Sequence, residues 1–176
     1  MPYTIQFGPG VAPVRRTLAA LTRRVHQICN ALTADAVVEA DLTTVQYGAM
    51  GCLNPKDGEP NIDQSTLAAR LGIDRNSASL LVEDLASKGI IERRVNSADR
   101  RARLLRLTPK GERLFARVRP RVLASHAFVL ESLKAGEREL LLDLLTRVIR
   151  AKGVYARPGG GRRKRGSSQS LSPPNI

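Results

Sequence analysis

The stretch from Ser65 to Leu85 constrains this chain more than any other, because Leu67, Ala68, Leu71, Gly72, Ile73, Ala78, Leu81 and Leu85 set small or apolar residues around a glycine. Two short helices that cross closely need such residues at the crossing and a glycine in the tight turn, so the spacing predicts a helix-turn-helix. Asp63 or Asn61 can cap the first helix, which ends at Leu71 with Gly72 as its left-handed stop. The second helix runs from near Asp74 to Lys88 and stops at Gly89.

An ordinary helical hairpin would share that pattern, but the segment after Gly89 is rarer. Ile90 to Val95 is rich in β-branched residues and Leu104 to Leu107 alternates apolar with basic, which predicts two paired strands. The polar connection Asn96 to Arg103 is too long for a tight turn and is expected to project. Between Glu92 and Arg106, six arginines against two acids leave a net charge of +4. A solvated charge run is the plain reading of such a stretch; arginine in a projecting loop also suits insertion into a narrow minor groove. A helix-turn-helix with a basic hairpin directly after it predicts a winged helix-turn-helix.

The flanks read as helices. Val11, Val14, Leu18, Leu21, Val25, Ile28 and Leu32 recur at steps of three and four, a single helical stripe that packs either inside the core or against another subunit. Leu42, Val45, Gln46, Ala49, Met50 and Leu53 form a shorter helix after Asp41, and residues 54–61 form a loop. Thr108-Pro109 opens a long helix carrying Leu114, Phe115, Val118, Val122, Ser125 and Val129, which Pro120 should kink or divide. A final helix carries Leu140, Leu141, Leu144, Leu145, Val148 and Ile149, an apolar face broad enough to need a cover that subunit contact would supply. The fold class is therefore mainly α with a small β-hairpin: a winged helix-turn-helix plus a helical dimerisation region. An N-terminal arm is expected at 1–10 and the main domain at 11–152. Within it a DNA-binding part at about 41–107 lies between helical parts at 11–40 and 108–152, which the resemblance described below makes the dimerisation helices, and a basic tail at 153–176 is expected to be disordered.

Composition narrows the partner. A formal net charge of +13 implies a polyanion. With no Trp, three Phe and three Tyr, the chain lacks the aromatic platforms that stack unpaired bases, which favours double-stranded DNA. No stretch approaches the roughly 20 apolar residues of a membrane helix, and the first residues lack a secretory pattern. A cytoplasmic, nucleoid-associated location without membrane contact is expected. Cys29 and Cys52 fit neither a disulfide framework nor a metal motif, so inert thiols are expected, with a redox-sensing role as the alternative. The sequence has no paired acids, nucleophile elbow or phosphate-cradling glycine loop, so no catalytic residue, metal or cofactor is expected and an enzyme is not.

Within the second helix of the pair, Arg75, Asn76, Ser77 and Ser79 are the polar residues expected to meet base edges in the major groove, Arg75 suited to guanine and Asn76 to adenine. Ser65 and Thr66, at the start of the preceding helix, are expected to hold a phosphate together with the amides there. Arg94, Arg100, Arg101 and Arg103 are the expected wing contacts, and Asp99 is expected to pair with a neighbouring arginine and fix the shape of the wing.

In order and spacing these segments resemble the MarR family, the multiple antibiotic resistance regulators. Leu42-Thr43-Thr44-Val45-Gln46-Tyr47 is similar to the opening of the family's second helix, and Gln64-Ser65-Thr66-Leu67-Ala68-Ala69-Arg70-Leu71-Gly72 to its third. Lys88-Gly89-Ile90-Ile91-Glu92-Arg93 resembles the entry to the wing, Asp99-Arg100-Arg101-Ala102 its Asp-x-Arg pattern and Leu107-Thr108-Pro109-Lys110-Gly111 its exit, so that the resemblance spans roughly residues 12–152. It implies a homodimer whose first and last helices entwine, with two wings straddling a pseudo-palindromic operator. It also implies a repressor released by a small effector, often an aromatic or phenolic acid, bound between the dimerisation and DNA-binding parts. His26, Asn30, Tyr47 and Met50 are ligand candidates by position. Two residues depart from the pattern: Asp84 stands where many relatives carry arginine, which puts a DNA-backbone contact in doubt, and Leu80 stands at a position often polar. A non-specific architectural DNA-binding protein is the alternative, and sequence preference separates the two.

Overall fold

The structure is a computed structural model that describes residues 3–56, 58, 60–95, 103–153 and 156. The first helix starts later than the apolar stripe predicts. Strand β1 (Thr4–Ile5) pairs antiparallel with β2 (Val14–Arg15), and the Arg16 amide donates to the Tyr3 carbonyl at 2.7 Å. That pairing keeps Val14 and Arg15 extended, so Val14 is buried by a small hairpin and Val11 stays outside any helix. Part of the expected arm is thus paired. Helix α1 (Leu18–Val37) begins where the Thr17 hydroxyl accepts the Ala20 amide.

A 3-10 turn at Val38–Ala40 leads to Asp41, which ends it with φ 52°, and helix α2 (Thr44–Leu53) starts from Thr43 rather than from Asp41. Thr43 wins because its cap is reciprocal: the Gln46 amide donates to its hydroxyl at 3.2 Å and its own amide donates to Gln46 Oε1 at 2.7 Å. Strand β3 (Ile62–Asp63) then leads into helices α3 (Gln64–Leu71) and α4 (Arg75–Ser87), with Gly72 between them at φ 67° as the turn requires. Strands β4 (Ile91–Val95) and β5 (Arg103–Leu107) pair antiparallel, Ile91 opposite Leu107 and Val95 opposite Arg103, and β3 joins the other edge of β5.

Thr108 caps helix α5 (Pro109–Val129), accepting the Gly111 amide at 3.1 Å. A Cβ at Gly111 would lie 2.1 Å from the Ile90 carbonyl oxygen, so only glycine lets this turn rest on the start of the wing. Pro120 does not divide the helix: it sits exposed within an unbroken α5, since one missing donor removes a single backbone bond from a helix of this length. Helix α6 (Ala135–Lys152) completes the order of elements.

One core joins these parts. Val37, Leu42, Met50, Leu53, Leu67, Val82, Leu85, Ile91, Leu105, Phe115 and Val122 are all buried in it, so the helix-turn-helix and the base of the wing share a single apolar interior with α1 and α5. Helix α6 contributes no buried residue, and Leu140, Leu144, Leu145, Val148 and Ile149 lie exposed, as do Leu18, Val25 and Ile28 on α1. Among the described residues no helix is long and apolar enough to cross a membrane.

Candidate nucleic-acid interface

Helix α4 buries Ala78, Val82 and Leu85 against the core and turns the opposite face outward. Arg75, Asn76 and Ser77 are exposed in its first turn, as the sequence predicts, but their side chains are not equally available. The Asp74 carboxylate caps the helix, taking the Ser77 amide at 3.0 Å and the Ser77 hydroxyl at 2.7 Å. Those bonds, the backbone amide first, hold the Asp74 carboxyl below the usual range. Ser77 is therefore committed to the cap. Ser79 is half-buried, and its hydroxyl donates to Glu83 Oε1 at 3.2 Å. The outward stripe at spacings of three and four is Asn76, Ser79, Leu80 and Glu83, with Leu80 68% exposed. Leu80 and Glu83 are not among the residues that the sequence pattern assigns to base edges; the signal for them is their offset of four and seven from Asn76.

The start of α3 repeats the device. Asp63 accepts the Thr66 amide at 2.7 Å, and its carboxyl is likewise held low, first by that bond and then also by the Thr66 hydroxyl and the Ser65 amide. A carboxylate thus occupies the place expected for a phosphate, with Thr66 bound to it and Ser65 exposed beside it.

The wing leaves the core as it extends. Ile91 is buried while Arg93, Arg94 and Val95 are exposed, so at about 3.3 Å per residue the hairpin runs roughly 13 Å out from Ile91. Arg94 Nε donates to Glu92 Oε1 at 2.9 Å, and Arg106 Nε donates to the same oxygen from the adjacent strand. Arg106 first and Arg94 second hold the Glu92 carboxyl below its usual range. Arg103 is exposed at the outer end of β5. Asp99, Arg100 and Arg101, together with the expected tail beyond Ala156, lie outside the described residues.

Asp84 does not point with the reading stripe. It accepts a hydrogen bond from Gln46 Nε2 of α2 and has Lys88 Nζ at 3.5 Å, so it ties α4 to α2.

The four ligand candidates are not brought together. His26 and Asn30 are exposed on α1, and Met50 is fully buried in the core. Tyr47 is half-buried and stacks on Phe115 with ring centroids 5.2 Å apart. It lines a hollow of about 450 Å³ with Cys52, Arg70, Phe115, Arg119 and Leu123. The surface that lines it is mainly apolar, with the Tyr47 and Phe115 rings and the two arginines among its residues. Burial pushes the Cys52 thiol up, with Arg70 partly opposing, the reverse of what a reactive thiolate needs. Among the described residues no group of three or more His, Cys, Asp or Glu side chains is placed to hold a metal.

A model of the MarR family matches residues 40–102, the segment from the turn after α1 through the wing loop. A protein proposed to regulate transcription of the hcr operon in Thauera aromatica is 34% identical over 106 residues, which cover 60% of this chain and 64% of that protein, just under two thirds. The PcaV transcriptional regulator of Streptomyces coelicolor is 31% identical, with a TM-score of 0.59 over 78% of this chain and 98% of that one, and it has also been solved with its natural ligand. The transcriptional repressor CouR bound to a 23-mer DNA duplex is 27% identical, with a TM-score of 0.67 over 76% of this chain and 93% of that one. CouR from Rhodococcus jostii RHA1 has been solved with p-coumaroyl-CoA as well.

Proposed function

Because the chain belongs to the MarR family of transcriptional regulators, we propose that it is a homodimeric, sequence-specific double-stranded DNA-binding repressor released from a pseudo-palindromic operator by a small aromatic acid. The observation that carries this is the exposed stripe of α4 standing beside an arginine-bearing hairpin, both fixed to one core. In a helix-turn-helix the second helix enters the major groove and a basic hairpin reaches the neighbouring backbone. Arg75 and Asn76 meet base edges, Ser65 touches a phosphate, and Arg94 and Arg103 lead into a wing in which Arg100 and Arg101 continue the contact. CouR, solved bound to a 23-mer DNA duplex, supports duplex DNA as the partner.

The dimer is argued from apolar faces that the single chain leaves uncovered. Leu140, Leu144, Leu145, Val148 and Ile149 on α6 and Leu18, Val25 and Ile28 on α1 are too extensive to remain in water, and two copies packed through residues 11–40 and 108–152 would bury them. The effector is placed in the hollow beside Tyr47 and Phe115, whose mainly apolar lining suits an aromatic ring; PcaV with its natural ligand and CouR with p-coumaroyl-CoA support a small-molecule role. Such a protein works in the cytoplasm on the nucleoid.

Selection of random duplexes by the intact protein, and then binding measurements at one salt concentration, test the reading. A repressor enriches a pseudo-palindrome that it prefers over random duplex by about a thousandfold or more, and benzoate-like acids lower that affinity. Uniform binding to every duplex would make it an architectural protein instead.

A further inference from the structure

We propose that Leu80 is a specificity-determining residue that reads the methyl group of a thymine in each half-site. The inference rests on α4 entering the major groove, and goes beyond it by assigning one base contact to a residue with no polar atom.

Leu80 is 68% exposed although α4 has a buried face only two residues away on either side, at Ala78 and Val82. Its neighbours on the outward stripe are Asn76 one turn before it and Glu83 one turn after it. At 1.5 Å of rise per residue, Asn76 and Leu80 lie about 6 Å apart along the axis, close to two base-pair steps of 3.4 Å. The bases that flank the one Asn76 meets are therefore within reach of Leu80. Glu83 fixes what this part of the helix can face. A carboxylate pressed against a phosphate is repelled, so the turn carrying Leu80 and Glu83 sits over base edges rather than on the backbone. Among the groups exposed on the floor of the major groove, the thymine methyl is the apolar one. Contact with it removes the exposed leucine surface from water, while any other base leaves that surface against a polar edge.

The test replaces each thymine of the selected operator by deoxyuridine, which keeps the pairing and deletes only the methyl group. With the wild-type protein, one position in each half-site should weaken binding about fourfold when its methyl is removed, the effect of one buried methyl-sized group. Leu80→Ala should bind the thymine and deoxyuridine operators equally at that position, whereas Asn76→Ala should keep the difference. Leu80 is exposed, so the variant is expected to fold, and an unchanged melting temperature checks this. A wild-type protein indifferent to every thymine methyl, or a Leu80→Ala protein that still senses the same one, overturns the assignment. Failure to enrich any duplex would overturn groove reading itself, and Leu80 with it.

Discussion

Gln46→Ala measures how firmly α4 is tied to the rest of the domain. Gln46 is 7% exposed and its side chain makes two bonds, accepting the Thr43 amide at 2.7 Å and donating to the Asp84 carboxylate. The cap contact is worth about 0.5–1 kcal/mol. A hydrogen bond to a carboxylate reaches about 1.5–3 kcal/mol when dry. The Asp84 side chain is 44% exposed and keeps Lys88 as a second partner at 3.5 Å, so solvent screening cuts that bond to about 1 kcal/mol. Together the loss is about 2 kcal/mol, which for a chain of this size lowers the melting temperature by about 4–8 °C.

The assay is thermal unfolding measured by circular dichroism at one fixed protomer concentration, since dissociation of the proposed dimer would otherwise shift the midpoint. The cycle with Asp84→Ala isolates the bond: the double variant should cost about 1 kcal/mol less than the sum of the single variants. A shift of about 1 °C or less for Gln46→Ala, or strict additivity with Asp84→Ala, would refute the reasoning. Because Gln46 belongs to α2, whose Tyr47 and Cys52 line the hollow, the same variant should also show a smaller loss of operator affinity on adding a benzoate-like acid.

Acidification should destabilise the protein through its helix caps. Asp63 and Asp74 have folded carboxyl values below their unfolded ones, so their contribution is complete above the unfolded value near 4 and is lost as pH falls through the lower folded values. The urea midpoint of the wild type should therefore drop over that acidic window, and the Asp63→Asn/Asp74→Asn protein, which keeps cap oxygens without a titrating charge, should show a flatter profile. On DNA, Arg94→Ala or Arg103→Ala should each lower the slope of log affinity against log salt by about 1 for each phosphate that the arginine neutralises, without changing the preferred sequence; an unaltered slope would remove that residue from the contact set.

The features legible in the sequence are those that neighbouring residues decide among themselves. The glycine turn at Gly72, the two strands of the hairpin and the Thr108-Pro109 start are each set within a few positions and lie where the pattern places them, and of the two caps it allows for α3 the structure uses Asp63 rather than Asn61. The N-terminal hairpin is not legible, because Val11 and Val14 continue the helical spacing of α1 and only the pairing with Thr4–Ile5 overrides it. Hydroxyl roles are not legible either. Ser77 and Ser79 fall at exposed or half-exposed positions, yet each donates a hydrogen bond to a carboxylate three or four residues away, a choice that depends on rotamers rather than on periodicity. The hollow lined by Arg70, Phe115 and Arg119 joins helices far apart in the chain, so no local spacing announces it.

The placement of the acids separates two tasks that charge alone would merge. Asp63 and Asp74 stabilise the N-termini of α3 and α4 by satisfying amides there, and the same carboxylates weaken the pull of those helix ends on phosphate. Glu83 adds a third negative charge on the outward face of α4. Helix α4 is thus poorly suited to generic attraction and well suited to discrimination, since a wrong base leaves its polar groups unpaired. The exposed arginines of the wing strands carry the opposite character. Glu92 restrains Arg94 and Arg106, whereas Arg103 lies beyond that clasp at the outer end of β5. Affinity that falls with salt should therefore map to the hairpin and sequence preference to α4, and a substitution in one element should leave the other's signature intact.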